Sequence, residues 1–415
     1  MSELLSVPDA LEKILEGFTR LPSERVTLEQ ALGRVLAEDI LAPISLPPFA
    51  NSSMDGFAVR AADIRSASAD APVRLRVVGD IPAGIAPAFV VQAGEAARIM
   101  TGAMLPEGAD AVIPVEDTDT EWSAGDHVAL PDSVGMLKAV KRGDYVRPIG
   151  EDMQAGEVLL TAGTLIHPAA LGALAAQGIA QIAVIRQPRV ALISSGDELV
   201  AVDQPLAPGK IHNVNAYTLA GLIAQYGGIV FTVPAARDQR EDVRRAFQAA
   251  LDWHADVIVS SAGVSVGTAD LVRGVMEEMG EINFWRINLR PGKPLAYGQI
   301  GGVPFFGLPG NPVSAMVTFD VFVRPVLLKV SGRTDQPHTV MAALGERLTS
   351  DGRRSYIRVT LQRTADRWVA HSTGTQSSGA ISSMVKADGL LILPEGVTDA
   401  AEGDVFQVRV LRLPE

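Results

Sequence analysis

Between residues 179 and 330, short apolar runs alternate with longer amphipathic stretches. The runs fall at 190–194, 229–233, 257–260 and 305–308, and helical spacing marks 242–253 and 313–328. Unbroken apolar strands alternating with helices predict a parallel sheet covered on both faces. Elsewhere the period changes. Leu11, Ile14, Leu15 and Phe18 share one face of a first helix, with Pro8 in its opening turn,. Thr27-Leu28-Glu29-Gln30 reads as a capping box that opens a second helix, and Gly33 is placed to end it,. Pro43, Pro47 and Pro48 then stiffen an extended linker,. Short strands dominate from Asn51 to Pro131, where Val73, Leu75 and Val77 alternate with Arg74 and Arg76,. A Gly-punctuated stretch, 140–178, ends in an Ala-rich helix from Pro168 to Gln177 and is expected to fold back beside the N-terminal helices. Strands return beyond 331, at 356–361, 368–370, 390–393 and 405–411, as in a small barrel or sandwich.

These elements lie in a chain of 415 residues, too long for one ordinary core at roughly 100–200 residues per domain,. With 47% hydrophobic and 20% charged residues, the chain can bury real cores and is not disordered,. Acidic residues outnumber basic ones, 48 to 36, for a formal net charge of -12. Such a body is a poor general binder of nucleic acid or anionic membrane, so an anionic substrate needs local cations. The count of cysteines is 0, which excludes thiolate metal sites, disulfides, iron–sulfur clusters and cysteine nucleophiles,. His127, His167, His212, His254, His338 and His371 never fall at metal-ligand spacing, which argues against a catalytic zinc,. No apolar stretch approaches about 18 residues. The start, MSELLSVPDALEK, lacks a basic region followed by an apolar run, so the expectation is a cytoplasmic protein,.

Open parallel sheets bind ligands beyond the carboxyl ends of their strands, so the residues just past each run are the candidates for chemistry. Ser195-Gly196-Asp197-Glu198 comes after the first run. Ser261-Ala262-Gly263-Val264-Ser265-Val266-Gly267 comes after the third, with Asp270 just beyond, and Pro309-Gly310-Asn311-Pro312-Val313-Ser314 after the fourth. Gly and Ser can simply make tight strand-to-helix turns. Three such loops on one rim favour phosphate or oxyanion binding by backbone N–H groups and a helix start. Glu198, Asp238 and Asp270 lie at or past strand ends, where acids beside an anion call for a bridging Mg²⁺ ion,. Each could instead complement a helix dipole. Arg290-Pro291-Gly292-Lys293-Pro294 presents two cations on a proline-stiffened loop suited to an oxyanion,. Two further segments, Asn51 to Val59 and Ile99 to Gly108, are small and polar beyond what a loop needs, although either alone reads first as a turn.

Taken in order, the strings NSSMDGFAVR, RIMTGAMLPEGADAV, GEDMQAGEVLLTAGTLI, PRVALISSGDELV, SSAGVSVGTAD, RPGKPLAYG and GLPGNPVSAMVTF resemble the molybdopterin molybdenumtransferase (MoeA) family, which includes the E domain of gephyrin. The likeness extends over essentially the whole chain. It implies a multidomain α/β and β protein in four domains: a discontinuous, elongated helical linker domain (1–50 with 140–178), a small β-rich domain (51–139), a doubly wound α/β molybdopterin-binding domain (179–330) and a C-terminal β barrel (331–415). The implied reaction is Mg²⁺-dependent insertion of molybdate into adenylylated molybdopterin with release of AMP. By motif, the resemblance assigns Asp55, Thr101, Asp152, Glu198, Asp238, Asp270 and Lys293 to the active site, with Glu198, Asp238 and Asp270 at the metal. It assigns Arg290, Lys293, Ser314, Arg358 and Ser378 to molybdate. The substrate loops are Ser195, Gly196 and Asp197; Gly263, Ser265 and Gly267; and Pro309, Gly310, Asn311 and Pro312.

The chain departs from the family pattern where Arg290 stands for a usual Lys and Ala262 for a usual Gly. Its segment Lys210-Ile211-His212-Asn213-Val214-Asn215-Ala216 is also less polar than usual. The resemblance further implies a homodimer whose sites draw on both copies, and an encounter with the molybdopterin-adenylylating enzyme. Two alternatives stand beside the leading reading. One is the adenylyltransferase itself, whose fold the central region shares but which usually lacks the flanking domains. The other is a non-catalytic scaffold, against which the retained Asp55, Asp270 and Lys293 argue.

Overall fold

The computed structural model describes residues 4–120, 129–237, 239–261, 269–334 and 337–412, without the side chains of residues 269–272 and 284. The chain divides into two compact units. One comprises Met1–Val26, Ala31–Ala37 and Ala183–Glu415, and the other Thr27–Gln30 with Glu38–Ile182.

The second of these units is built on a curled five-stranded sheet. Its strands run in the order Ala111–Pro114, Gly56–Val59, Glu95–Ile99, Val73–Ile81 and Ser133–Met136. The strand Val73–Ile81 shows the expected alternation: Arg74 and Arg76 are exposed, whereas Leu75 and Val77 are buried beside Phe57, Ile64 and Val134. Apolar residues of the opposite parity, Ala58, Ala97 and Val112, form a separate cluster with Ile81 and Val91. The stretch after residue 140 returns along the proline-bearing linker. Val158–Leu160 pairs antiparallel with Ile40–Leu41, and the Leu46 amide donates to the Met153 carbonyl at 2.8 Å.

In the larger unit a six-stranded sheet has the order Ile229–Thr232, Arg189–Ser194, Val257–Ser261, Val303–Leu308, Pro294–Ile300, Gly280–Arg286. The first four are parallel, and an antiparallel pair extends the edge. Successive residues of each central strand point to opposite cores, as the two-residue period requires. Val190, Leu192, Val257, Val259, Phe306 and Leu308 pack on Leu219 and Ile223 of the helix Val214–Gln225, together with Ile14 and Phe18 from the N-terminal segment. Ala191, Ile193, Ile258 and Phe305 pack on Val243, Phe247, Val275 and Met276 of the helices Arg240–Asp252 and Ala269–Met279. The sheet is therefore covered on both faces. A long helical stretch comes next, α-helical over Pro312–Thr318, π-helical over Phe319–Val323 and α-helical again over Arg324–Val330.

Beyond it, Arg354–Arg363, Trp368–Ser372, Thr339–Leu344, Val405–Val410 and Gly389–Leu393 pair in that order and close through contacts between the first and the last. This five-stranded barrel has its own core of Leu344, Ile357, Val359, Leu361, Leu391 and Val408. The doubly wound sheet, the curled β sheet and the closed barrel together give the α/β-and-β fold class that the sequence implied.

The expected second helix is a single turn, Leu28–Ala31. Past Gly33 the backbone turns to pairing: the Ala37 amide donates to the Ala183 carbonyl at 2.9 Å and the Ile185 amide to the Val35 carbonyl at 2.8 Å. Among the described residues no helix is long and apolar enough to cross a membrane.

Candidate functional site

A cavity of about 780 Å³ opens at the carboxyl ends of the parallel strands. Ser195 follows one strand, Ser261 ends the next, and Pro309 and Gly310 follow the third. The chain passes from Arg189–Ser194 outward to Ile229–Thr232, then back past its start to Val257–Ser261. Such a reversal of order splays the adjacent loops apart and leaves a crevice. Asn311 holds extended backbone angles (φ -65°, ψ 128°) at the N-cap position, and Pro312 is the first helical residue,.

Among the described residues, four cations and one carboxylate line this cavity: Arg290, Lys293, Arg353, Arg358 and Glu198. That is a local excess of positive charge in a chain whose net charge is -12. Arg353 is neutralised locally, since its Nε and Nη2 both donate to Asp351 Oδ2. Arg290 reaches the same carboxylate only at 3.9 Å, and these two guanidiniums hold the Asp351 carboxyl below its usual range, Arg353 contributing most. Arg358 differs from both. It is 1% exposed, its Nε donates to Ser383 Oγ at 3.2 Å, and its Nη2 donates to the Ser377 carbonyl at 3.2 Å. Burial, and then the charge of Arg290, pulls its guanidinium down to about 10. Among the described residues no carboxylate pairs with Arg358 or with Lys293. A buried cation without a counter-charge is costly, and a small anion in the cavity would supply one.

The loop that carries Arg290 and Lys293 is held from both sides. Leu289–Arg290 pairs parallel with Arg354 and Ser355 of the barrel, and the Ile287 amide donates to the Lys293 carbonyl at 2.8 Å. Gly292 adopts φ +113°, and a Cβ there would stand 2.3 Å from Thr318 Oγ1, so only glycine fits,. Ser314 is 5% exposed on the same wall, and the Val313 amide donates to the Ser378 carbonyl at 3.0 Å. The cavity thus brings together the whole expected oxyanion set: Arg290, Lys293, Ser314, Arg358 and Ser378.

Of the expected loop residues, Ser195, Pro309, Gly310, Asn311 and Pro312 line the cavity, whereas Gly196 and Asp197 do not. Gly196 has φ +146°, and a Cβ there would meet Glu198 Oε2 at 2.6 Å; its bare Cα is what gives the Glu198 carboxylate its place. The Asp197 carbonyl accepts a hydrogen bond from Lys210. Asp238, Gly263, Ser265 and Gly267 lie outside the described residues, as does Ala262. Asp270 belongs to the first turn of Ala269–Met279, but its side chain is likewise outside the described set. Among the described residues no group of three His, Asp or Glu side chains could hold a metal ion; of the three expected metal ligands, Glu198 alone is described.

Asp55 and Thr101 belong to the other compact unit and form a pair there. Asp55 Oδ1 accepts from the Thr101 amide at 2.6 Å and from Thr101 Oγ1 at 2.7 Å. The Gly102 amide donates to the Ser52 carbonyl at 2.8 Å, so the two polar segments singled out in the sequence are laced together. Asp152 is exposed in the same unit, its amide donating to the Leu46 carbonyl at 3.0 Å.

Sequence reasoning missed Arg353 and Gln376, whereas Asn215, which also lines the cavity, lies in the 210–216 segment already singled out. Gln376 clasps the Arg358 backbone, accepting from its amide at 3.0 Å and donating to its carbonyl at 3.1 Å. No local motif marks a residue that acts through a strand 18 positions away. Asn215 carried a local signal, because it lies just past the Asn213 cap of a helix that starts at the rim.

Three family models match the chain in order: "MoeA N-terminal region (domain I and II)" over residues 5–178, "Probable molybdopterin binding domain" over 191–329, and "MoeA C-terminal region (domain IV)" over 341–411. The chain is 40% identical over 395 residues to Molybdopterin molybdenumtransferase 2 of Mycobacterium tuberculosis, covering 92% of this chain and 94% of that protein. It is 38% identical over 421 residues to the Molybdopterin molybdenumtransferase of Nostoc sp., covering 99% and 94%. A solved structure titled as molybdopterin biosynthesis moea protein from Pyrococcus horikosii superposes with TM-score 0.80 at 36% identity, over 99% of this chain and 100% of that one.

Proposed function

We propose that this chain, which belongs to the MoeA family of molybdopterin molybdenumtransferases and is an enzyme of that type, inserts molybdate into adenylylated molybdopterin with the help of Mg²⁺ and releases AMP. The observation that carries the reading is the oxyanion wall, above all the buried Arg358, without a carboxylate partner among the described residues, beside Lys293 and Arg290. Molybdate is a tetrahedral dianion. Planar guanidinium forks, an ammonium and the Ser314 and Ser378 hydroxyls match its four oxygens better than they match an apolar ligand.

In this reading Arg290, Lys293 and Arg358 hold the oxyanion and offset its charge, while the Pro309-to-Asn311 turn approaches the substrate's phosphates with backbone rather than side chains. Glu198 is an acid on a wall that is otherwise cationic, which fits a bridging cation, and Asp238 and Asp270 would complete its ligands. Mg²⁺ there would offset pyrophosphate charge as the bond to AMP breaks. A homodimer in a cytoplasmic setting, with Asp55 and Thr101 serving the reaction, is part of the same proposal. So is an encounter with the enzyme that adenylylates molybdopterin.

The test is reconstitution with adenylylated molybdopterin, Mg²⁺ and molybdate, reading AMP release and protein-bound molybdenum. AMP release that depends on molybdate supports the proposal. Transfer of AMP from Mg-ATP to molybdopterin without molybdate would point to the adenylyltransferase instead.

A further inference from the structure

One cation of the oxyanion wall already stands beside an anion. Arg290 Nη1 lies 3.9 Å from Asp351 Oδ2, beyond hydrogen-bond reach but where opposite charges still attract,. The same Oδ2 accepts from Arg353 Nε at 3.0 Å and from Arg353 Nη2 at 2.5 Å, and Asp351 Oδ1 accepts from the Arg353 amide at 3.2 Å. Arg353 Nη1 in turn donates to the Leu289 carbonyl at 3.1 Å, one residue before Arg290. Two guanidiniums thus share one carboxylate. Backbone hydrogen bonds hold the turn on either side of it: the Ser350 amide donates to the Thr398 carbonyl at 2.9 Å, and the Gly396 amide to the Gly352 carbonyl at 2.8 Å.

Arg290 and Arg353 line the cavity, whereas Asp351 does not. Arg290 also stands close enough to Arg358 for its charge to help pull that guanidinium down. Its own charge is therefore attracted by Asp351 and opposed by Arg358. A dianion entering the cavity offers Arg290 and Arg358 a shared partner, and the pull of Asp351 works against it.

We propose that Asp351 is a positioning residue that competes with the oxyanion: its carboxylate holds Arg290 and Arg353 while the cavity is empty, and a dianion must draw Arg290 away from it to bind. This rests on the functional reading above, in which the cationic wall takes molybdate. The competition sets the affinity below what the cations alone would give. That suits an oxyanion which is to be handed on, because binding that is as strong before the transfer as during it does nothing to speed the transfer.

The test is isothermal titration of the full chain with molybdate and with sulfate, at about 0.1 M and about 1 M sodium chloride. Wild type is compared with Asp351→Asn, Asp351→Ser and Asp351→Glu. Asn removes the charge and keeps an acceptor for the Arg353 guanidinium. Ser removes the charge with a smaller side chain, so the result does not hang on how one variant folds. The side chains of Arg290 and Asp351 are 42% and 43% exposed, so water screens the pair and the gain is modest,. Both charge-free variants should bind the dianions about three- to ten-fold more tightly than wild type at the lower salt. The gain should shrink at the higher salt, where the screening length falls from about 10 Å to about 3 Å. Asp351→Glu, which keeps the charge, should return to within about two-fold of wild type. A residue that merely anchors the Arg353 turn would give the opposite sign. Weaker or unchanged binding in the charge-free variants overturns the proposal, as does a gain that persists undiminished at high salt or appears equally in Asp351→Glu. Molybdate-dependent AMP release by wild type is read separately. Release without a gain in the charge-free variants defeats this inference alone, and a gain without release defeats the functional reading alone. Binding of neither dianion by any of the proteins defeats both.

Discussion

Replacing Arg358 with Met should leave the fold nearly as stable and remove much of the affinity for molybdate. Burial beside Arg290 brings the guanidinium from its ordinary strongly basic range down to about 10. At about 1.36 kcal/mol per pKa unit, the charged form is disfavoured by about 3 kcal/mol when no anion is bound. That cost is present at every pH below about 10. It is relieved as pH rises above about 10, because the native chain deprotonates before the unfolded one,. Against this gain, Met leaves the Ser377 carbonyl without its donor, which costs on the order of 1–3 kcal/mol,. Ser383 Oγ still donates to the Ala380 carbonyl at 2.7 Å and is not orphaned. The two effects nearly cancel, so stability should change by about 1 kcal/mol or less in the presence of some packing loss. A hydrogen bond to a charged group is worth about 1.5–3 kcal/mol, which translates into roughly 10- to 150-fold weaker molybdate binding. Equilibrium dialysis gives the affinity. Thermal melts with and without molybdate add a second readout, because wild type should gain stability as the ligand is raised and Arg358→Met should gain little. A variant that melts far below wild type yet binds molybdate with wild-type affinity would show that Arg358 is a structural cation and refute the reasoning.

Lys293→Ala should weaken molybdate by on the order of 1–3 kcal/mol with little change in AMP binding, and saturating molybdate should partly restore the rate; titrating molybdate in the AMP-release assay checks this. Gly196→Ala forces a Cβ toward Glu198 Oε2 at 2.6 Å in a backbone region that L residues avoid, so the Mg²⁺ concentration for half-maximal activity should rise,; an unchanged Mg²⁺ requirement would separate Glu198 from the metal. Asp55→Asn and Lys293→Ala should each lower activity strongly as homodimers. If each site of the proposed homodimer draws on both copies, purified heterodimers of the two variants should recover up to about half of wild-type turnover by two-fold symmetry; heterodimers as inactive as the parents would count against shared sites.

The parallel strands were legible in the sequence because they are buried on both faces. Runs such as Val190 to Ile193 need no alternation to read as strands, since odd and even positions both meet a core,. The antiparallel edge was harder to see. Pro294–Ile300 contains Pro294, Gly298 and Gln299, which break the apolar pattern. A Cβ on Gly298 would fall 1.9 Å from the Glu281 carbonyl, so the glycine that hides the strand in sequence is what lets it pair,. The second helix announced at Thr27 is present, as Leu28–Ala31, and Gly33, with φ +73°, stands just past its end as the sequence placed it,.

The site divides along the same line. Loops such as Pro309-Gly310-Asn311 declare themselves, because a turn that places backbone near an anion must be written in Gly and capping residues. Arg358 does not declare itself, and its strand shows why. In Arg354–Arg363, Ile357, Val359 and Leu361 enter the barrel core, whereas Tyr356 joins the core beneath the α/β sheet. The partner strand obeys the same parity, with Leu391 inside the barrel and Leu390 packed outside it, directly opposite Arg358. Period two therefore fixes that Arg358 points out of the barrel, which for an isolated barrel would mean water and an ordinary surface arginine. It is the packing of the barrel's outer face, through Tyr356 and Leu390, into the core of the same compact unit that buries the residue to 1% exposure and turns a solvated cation into one that needs an anion. Parity can be read from one strand, but desolvation depends on what covers it, and that information is spread over residues more than a hundred positions apart.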